Sequence, residues 1–138
     1  MEAKIIWNGA MQFTGNADSG FRIPLDASPD HGGQNGGFQP LELLLVGLAG
    51  CTGMDVISIL QKKKANVTAF EVRVTAERAE EHPRVFTRLL VEYVVTGKDI
   101  KLEDVERSVQ LSETKYCPAE AMLRKAAIID SKITIIQE

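Results

Sequence analysis

Cysteine and histidine are scarce in this chain, with two of each among 138 residues, and that scarcity excludes several classes of protein. Two cysteines make no disulfide framework, and in a reducing compartment they are expected to stay as thiols, serving either packing or chemistry. The possible soft ligands Cys51, Cys117, His31 and His82 lack the short paired spacings of a zinc site, so no metal is expected. No basic run exists either: the net charge is -3 and the lysines and arginines are dispersed. A phosphate backbone therefore has no electrostatic footprint to meet, and nucleic acid is not an expected partner. Gly32-Gly33 and Gly36-Gly37 are followed by no phosphate-binding lysine and do not form GxGxxG, which argues against a nucleotide site. Repeats, linkers and low-complexity segments are absent. No signal-peptide pattern precedes the first strand-like segment, so a cytoplasmic location is expected.

What is present reads as one domain over 1–138, long enough to bury roughly 68% of its unfolded surface. Ala3 to Trp7 and Met11 to Thr14 predict a hairpin turning at Asn8-Gly9, and Phe21 to Leu25 predicts a third strand. Asp30 to Gly37 holds four glycines and must be a loop, flexible unless something orders it. Pro40 then opens a helix that continues to about Lys64. Between Leu43 and Met54 this helix carries no charge, so protein is expected on every side of it. The Leu41–Leu60 stretch approaches the ~20 residues of a membrane span. Glu42 and Asp55 interrupt that stretch, however, and Gly47, Gly50 and Gly53 thin it, suiting close approach of another helix instead.

Phe70, Val72, Val74 and Ala76 alternate with Glu71, Arg73, Thr75 and Glu77, the period of a half-exposed strand, and Val85 to Thr96 pairs with it across a turn at 80–84. Leu102, Val105, Val109 and Ser112 form the buried stripe of a helix reaching Lys115. Pro118 starts another helix, and Ile128 to Ile136 closes the chain as a strand. The class is α+β, with helices packed on antiparallel sheets.

Cys51 lies mid-helix, where a free cysteine can simply fill space. Cys117 stands just before a helix start, where unpaired N–H groups can stabilise a thiolate or the side chain can serve as an ordinary cap. At an ordinary pKa a cysteine is only ~3% thiolate at pH 7, so the distinction separates a spectator from a reagent. Asp55, four residues after Cys51, shares its helix face and needs a partner: the thiol, a backbone group or a basic side chain. Glu42 is about 13.5 Å along the helix from Cys51. It either complements the helix dipole or approaches Cys51 of a second, antiparallel copy.

The run Pro40-Leu41-Glu42-Leu43-Leu44-Leu45-Val46-Gly47-Leu48-Ala49-Gly50-Cys51 resembles the central-helix motif of the OsmC/Ohr superfamily, and Leu111-Ser112-Glu113-Thr114-Lys115-Tyr116-Cys117 resembles its second motif. The resemblance implies an OsmC-like fold, antiparallel sheets around a long central helix in an intertwined homodimer, with the site at the subunit interface. It also implies a peroxidatic Cys51 and a resolving Cys117 acting on an organic hydroperoxide. No bound cofactor is implied; an external dithiol, lipoyl in some members, would reduce the resulting disulfide. The characterised branches place a glutamate directly after the proline and use an N-terminal arginine. Here the acid is Glu42, one place later, and Arg22 is the only arginine before residue 73, so these two are the corresponding candidates. The P-L-E-L-L-L and C-T-G-M-D-V forms are similar to YhfA-type members. A non-catalytic, ligand-binding or redox-sensing dimer is the alternative that the shifted glutamate leaves open.

Overall fold

Three short strands open the chain, β1 (Ala3–Gly9), β2 (Gln12–Ala17) and β3 (Arg22–Leu25), hydrogen-bonded in that order and antiparallel throughout. The computed structural model describes residues 1–138 and divides into two units, Met1–Leu44 and Leu45–Glu138. In the first unit the hairpin turns later than the sequence predicts. Gly9 still pairs with Gln12, leaving Ala10 and Met11 as the turn, and the register shifts between Trp7 and Gly9. Asn8 is the extra residue of a bulge, which the positive φ of Gly9 accommodates, and its amide donates to Thr14 Oγ1 at 2.6 Å.

The glycine-rich loop is ordered by one buried carboxylate. Asp26 accepts the backbone N–H groups of Ala27, Gln34 and Gly36 at 2.7, 3.2 and 3.0 Å. Burial works to raise this carboxyl, but those donors and the Gln12 amide outweigh it and hold the pKa below the ordinary value. Two of the glycines are needed for close approach: a Cβ on Gly33 would sit 1.9 Å from the Ala27 carbonyl oxygen, and one on Gly37 2.5 Å from that of Pro24. The first turn of α1 (Pro40–Lys62) closes the unit, with Glu42 reaching back to accept the Gln39 N–H at 2.7 Å, one half of a capping box.

In the second unit α1 continues into β4 (Asn66–Arg78) and β5 (Phe86–Lys98), which pair antiparallel, and the chain ends in β6 (Ile128–Gln137) beside β5. The predicted alternation holds, with Phe70, Val72, Val74 and Ala76 half-buried and Glu71, Arg73, Thr75 and Glu77 exposed. The antiparallel expectation fails at the last strand, because β6 runs parallel to β5. A parallel partner needs a crossover of a dozen or more residues, and α2 (Leu102–Leu111) with α3 (Pro118–Leu123) supplies it.

Leu48, Val56 and Leu60 of α1 pack with Leu89, Val91, Tyr93 and Val95 of β5 and with Val105 and Val109 of α2. Fully burying each such aliphatic side chain is worth about 1.5–3 kcal/mol, so this cluster anchors the middle of α1. Leu102, predicted for the same stripe, is exposed. The other face of α1 departs from the expectation of surrounding protein: Val46 is 55% and Met54 74% exposed. A Cβ on Gly47 or Gly50 would meet nothing within 4 Å, whereas Gly53 backs onto Val72 and Phe70. A single chain leaves this apolar face uncovered.

Candidate functional site

Cys51 and Cys117 are neighbours. Cys51 is half-buried on α1 and Cys117 is 3% exposed before α3, and within the second unit Cys51 packs against the core cluster that holds Cys117, near enough to raise the Cys117 pKa. The approach to Cys117 is built by a local irregularity that the sequence pattern conceals. The periodicity predicts regular helix to Lys115, but α2 ends at Leu111 and Ser112–Tyr116 forms one π-helical turn. The Cys117 N–H donates five residues back to the Ser112 carbonyl at 2.9 Å. Such wide turns are frequent at functional sites because they re-aim the side chains around them.

Cys117 is also the cap of α3. Its sulfur accepts the Glu120 N–H at 3.4 Å, and Pro118 fills the first helical position. The helix start was a reason to expect a stabilised thiolate, and the opposite holds. Burial pushes the Cys117 thiol up to about 12, the nearby Cys51 adds to the rise, and the single Glu120 N–H opposes it without prevailing. A helix of six residues offers little dipole against the loss of solvent. Of the two cysteines, Cys51 is the more exposed.

A chain of hydroxyls ties the two cysteine segments together. Thr52, next to Cys51, lies 2.8 Å from the Ser112 hydroxyl and 2.7 Å from that of Tyr93. Ser112 in turn donates to Asp55 Oδ2 at 2.9 Å. Asp55 therefore has its partner, but it is a hydroxyl of the second cysteine motif and neither the thiol, a backbone group nor a cation. Burial raises the Tyr93 phenol well above its ordinary value against the Thr52 bond, and the nearby Glu113 and Glu120 add to the rise.

Glu120 is the site residue that the sequence reading missed. It is fully buried in the first turn of α3, pairs with Arg124 through one carboxylate oxygen and leaves Oε2 buried without a partner. Burial raises its pKa, and Glu113 adds to the rise while Arg124 opposes it. The available signal was the i,i+4 spacing of Glu120 and Arg124, which normally describes an exposed helix face. The remaining candidates belong to the first unit: Arg22 is exposed on β3, and the exposed Glu42 is engaged by the Gln39 N–H. His31 contacts Ser28 Oγ in the loop at 3.1 Å, and no three His, Cys, Asp or Glu side chains converge as a metal site.

Residues 32–132 match the family model described as OsmC-like protein. Protein YhfA of Escherichia coli strain K12 is 38% identical over 136 residues, 99% of this chain and 98% of that one. A hypothetical protein from Aquifex aeolicus superposes with a TM-score of 0.87 at 27% identity, over 99% of this chain and 96% of its own. An organic hydroperoxide resistance protein OsmC from Legionella pneumophila shares the fold at a TM-score of 0.70 and 16% identity, covering 96% of this chain and 95% of that one.

Proposed function

The chain belongs to the OsmC-like family, and from that premise we propose that it is a thiol-dependent peroxidase for organic hydroperoxides, with Cys51 attacking and Cys117 resolving. The observation that carries this reading is that the two cysteines, which come from separate motifs, are neighbours in one core cluster and are unequally buried. Cys51 as thiolate attacks one peroxide oxygen, the O–O bond breaks, and the alcohol leaves with a proton. The Cys51 sulfenic acid then meets the neutral Cys117 thiol, the S–S bond forms and water leaves. An external dithiol returns the pair to thiols by exchange. Burial that keeps Cys117 protonated favours this division of labour, since it leaves the more exposed Cys51 to meet the hydroperoxide first. The name of the Legionella protein points to the same chemistry.

The functional unit is a homodimer in the cytoplasm, where free thiols persist. Its support is the apolar face of α1 and, in the first unit, the exposure of Ile5, Trp7 and Phe21, a surface that a second copy would cover. In such a dimer Glu42 and Arg22 act on the hydroperoxide from the neighbouring chain. Release of cumyl alcohol from cumene hydroperoxide in the presence of a dithiol tests the activity. Turnover that disappears in Cys51→Ser and stalls after one event in Cys117→Ser supports it; absence of turnover with every dithiol tried, lipoamide included, rejects it.

A second reading rests on a cavity of about 500 Å³ in the first unit, lined by Ile5, Phe21, Ile23, Leu25 and Leu43. A pocket this apolar suits a small hydrophobic ligand. Binding of an apolar fluorophore that survives Cys51→Ser would favour a non-catalytic binder, and binding lost with the thiol would count against it.

A further inference from the structure

The segment between Ser112 and Ala127 is fixed at both ends and weakly held between them. At one end the Ser112 hydroxyl, fully buried, is bonded to Thr52 and donates to Asp55. At the other, Ala127 is buried and the chain enters β6, where Ile128 pairs with Arg88. Between them lie one π-helical turn, the six residues of α3 and a turn over 124–126. An isolated helix shorter than about 12–15 residues is marginal in water. The closed state of α3 therefore depends on what holds its start and its inner face.

A sulfur holds the start. The first N–H groups of a helix have no partner inside it. The one side chain that caps α3 is Cys117, whose Sγ accepts the Glu120 N–H at 3.4 Å. On the inner face Ala119 and Leu123 are half-buried against the core, and Glu120 beside them is fully buried. Arg124 satisfies one Glu120 oxygen, while Oε2 is buried with no partner. A buried acceptor without a donor opposes the closed arrangement and gains hydrogen bonds from water on opening. One weak cap and two apolar side chains thus hold α3 down against a carboxylate that favours release.

We propose that α3 is a redox-gated lid, closed while Cys117 is a thiol and released when its sulfur bonds to Cys51, which opens the disulfide to the external dithiol. The proposal rests on the peroxidase reading for the Cys51–Cys117 pairing and for its oxidant, an organic hydroperoxide. In that step the Cys117 S–H bond and the S–O bond of the Cys51 sulfenic acid break, the S–S bond forms, and the hydrogen and hydroxyl leave as water. Cap and disulfide compete for one sulfur: turning towards Cys51 carries Sγ off the Glu120 N–H. Ser112, still anchored by its hydroxyl bonds, is the hinge. Exchange with a dithiol gives two protein thiols and the oxidised reductant, and the cap forms again.

Trypsin reads the lid without peroxide. Arg124 and Lys125 have exposed side chains on backbone that a protease cuts only once α3 opens, and Arg84, in the turn between β4 and β5, is an internal reference. Diamide joins the two cysteines, its N=N bond taking up both thiol hydrogens to become the hydrazine. After its removal, cleavage after Arg124 and Lys125 relative to Arg84 is expected to rise about 5-fold, the population shift that loss of a typical cap brings. Dithiothreitol should reverse the rise. Reduced Cys117→Ala, which has no cap, should show the raised rate without oxidant. Cys117→Ser, whose hydroxyl caps well, should keep the low rate with and without diamide. The parent rate in reduced Cys117→Ala, an unchanged rate in the oxidised chain, a diamide response in Cys117→Ser, or no disulfide with diamide overturns the lid. The oxidised parent chain decides the matter even where Cys117→Ala fails to fold. A chain that opens with diamide but ignores cumene hydroperoxide removes the peroxidase reading and leaves the lid standing.

Discussion

Thr52 Oγ1 lies 2.8 Å from Ser112 Oγ, a buried bond between the residue after Cys51 and the residue whose carbonyl holds Cys117. Two segments that are remote in sequence are joined here by hydroxyls, and that junction holds the two cysteine motifs side by side. Replacing Thr52 by Val leaves the Tyr93 hydroxyl buried without its acceptor, which costs about 1–3 kcal/mol. Urea unfolding of reduced Thr52→Val is expected to show a loss of that size, with Thr52→Ser close to the parent chain.

The two thiols are expected to differ sharply in reactivity. With its pKa pushed up to about 12 by burial, Cys117 stays protonated through pH 9, and iodoacetamide should label Cys51 first. Peptide mapping after a short pulse at pH 8 checks the order. Equal labelling of both cysteines would mean that Cys117 is not held as described.

Asp26 gives the first unit an acid limit. Its carboxyl pKa is lowered in the fold, so the stabilisation is complete above the unfolded value near ~3.9 and is lost as pH falls through the lower, folded value. Asp26→Asn should lack this dependence and should leave the 27–37 loop open to proteolysis at neutral pH. Equal cleavage rates in the variant and the parent chain would show that the loop is ordered by something else.

Glu120 has the opposite sign. Its raised pKa means that it favours the fold below the unfolded value near ~4.3 and that this contribution is lost as pH rises through the folded value. Glu120→Gln removes the neutral-pH penalty, while Arg124, half exposed, can turn to water. The variant should therefore gain stability on the parent chain as pH rises from 4 to 8, measured by denaturant midpoints across that range.

Much of this was legible in advance, and the exceptions have physical causes. Strand periodicity placed Phe70–Ala76, and Pro40 and Pro118 marked helix starts, because these signals are local. Direction is not local: the residues of β6 look the same whether it pairs parallel or antiparallel, and only the crossover length admits a parallel partner. The π turn at Ser112–Tyr116 was hidden because a stripe of Val105, Val109 and Ser112 fits regular helix as well. The cysteines stood out by rarity and motif. Glu120 did not, since a glutamate four residues before an arginine ordinarily marks an exposed face. Of the two readings of Cys117 at a helix start, the ordinary cap is the one found, because burial outweighs the dipole of a six-residue helix.

The most direct test of the account treats the reduced chain with one equivalent of cumene hydroperoxide and maps the cysteine peptides by mass spectrometry without reductant. The account predicts loss of both free thiols and a single cross-linked species joining the Cys51 and Cys117 peptides within one chain. Two intact thiols, or Cys51 held as sulfenic acid beside an untouched Cys117, would contradict it.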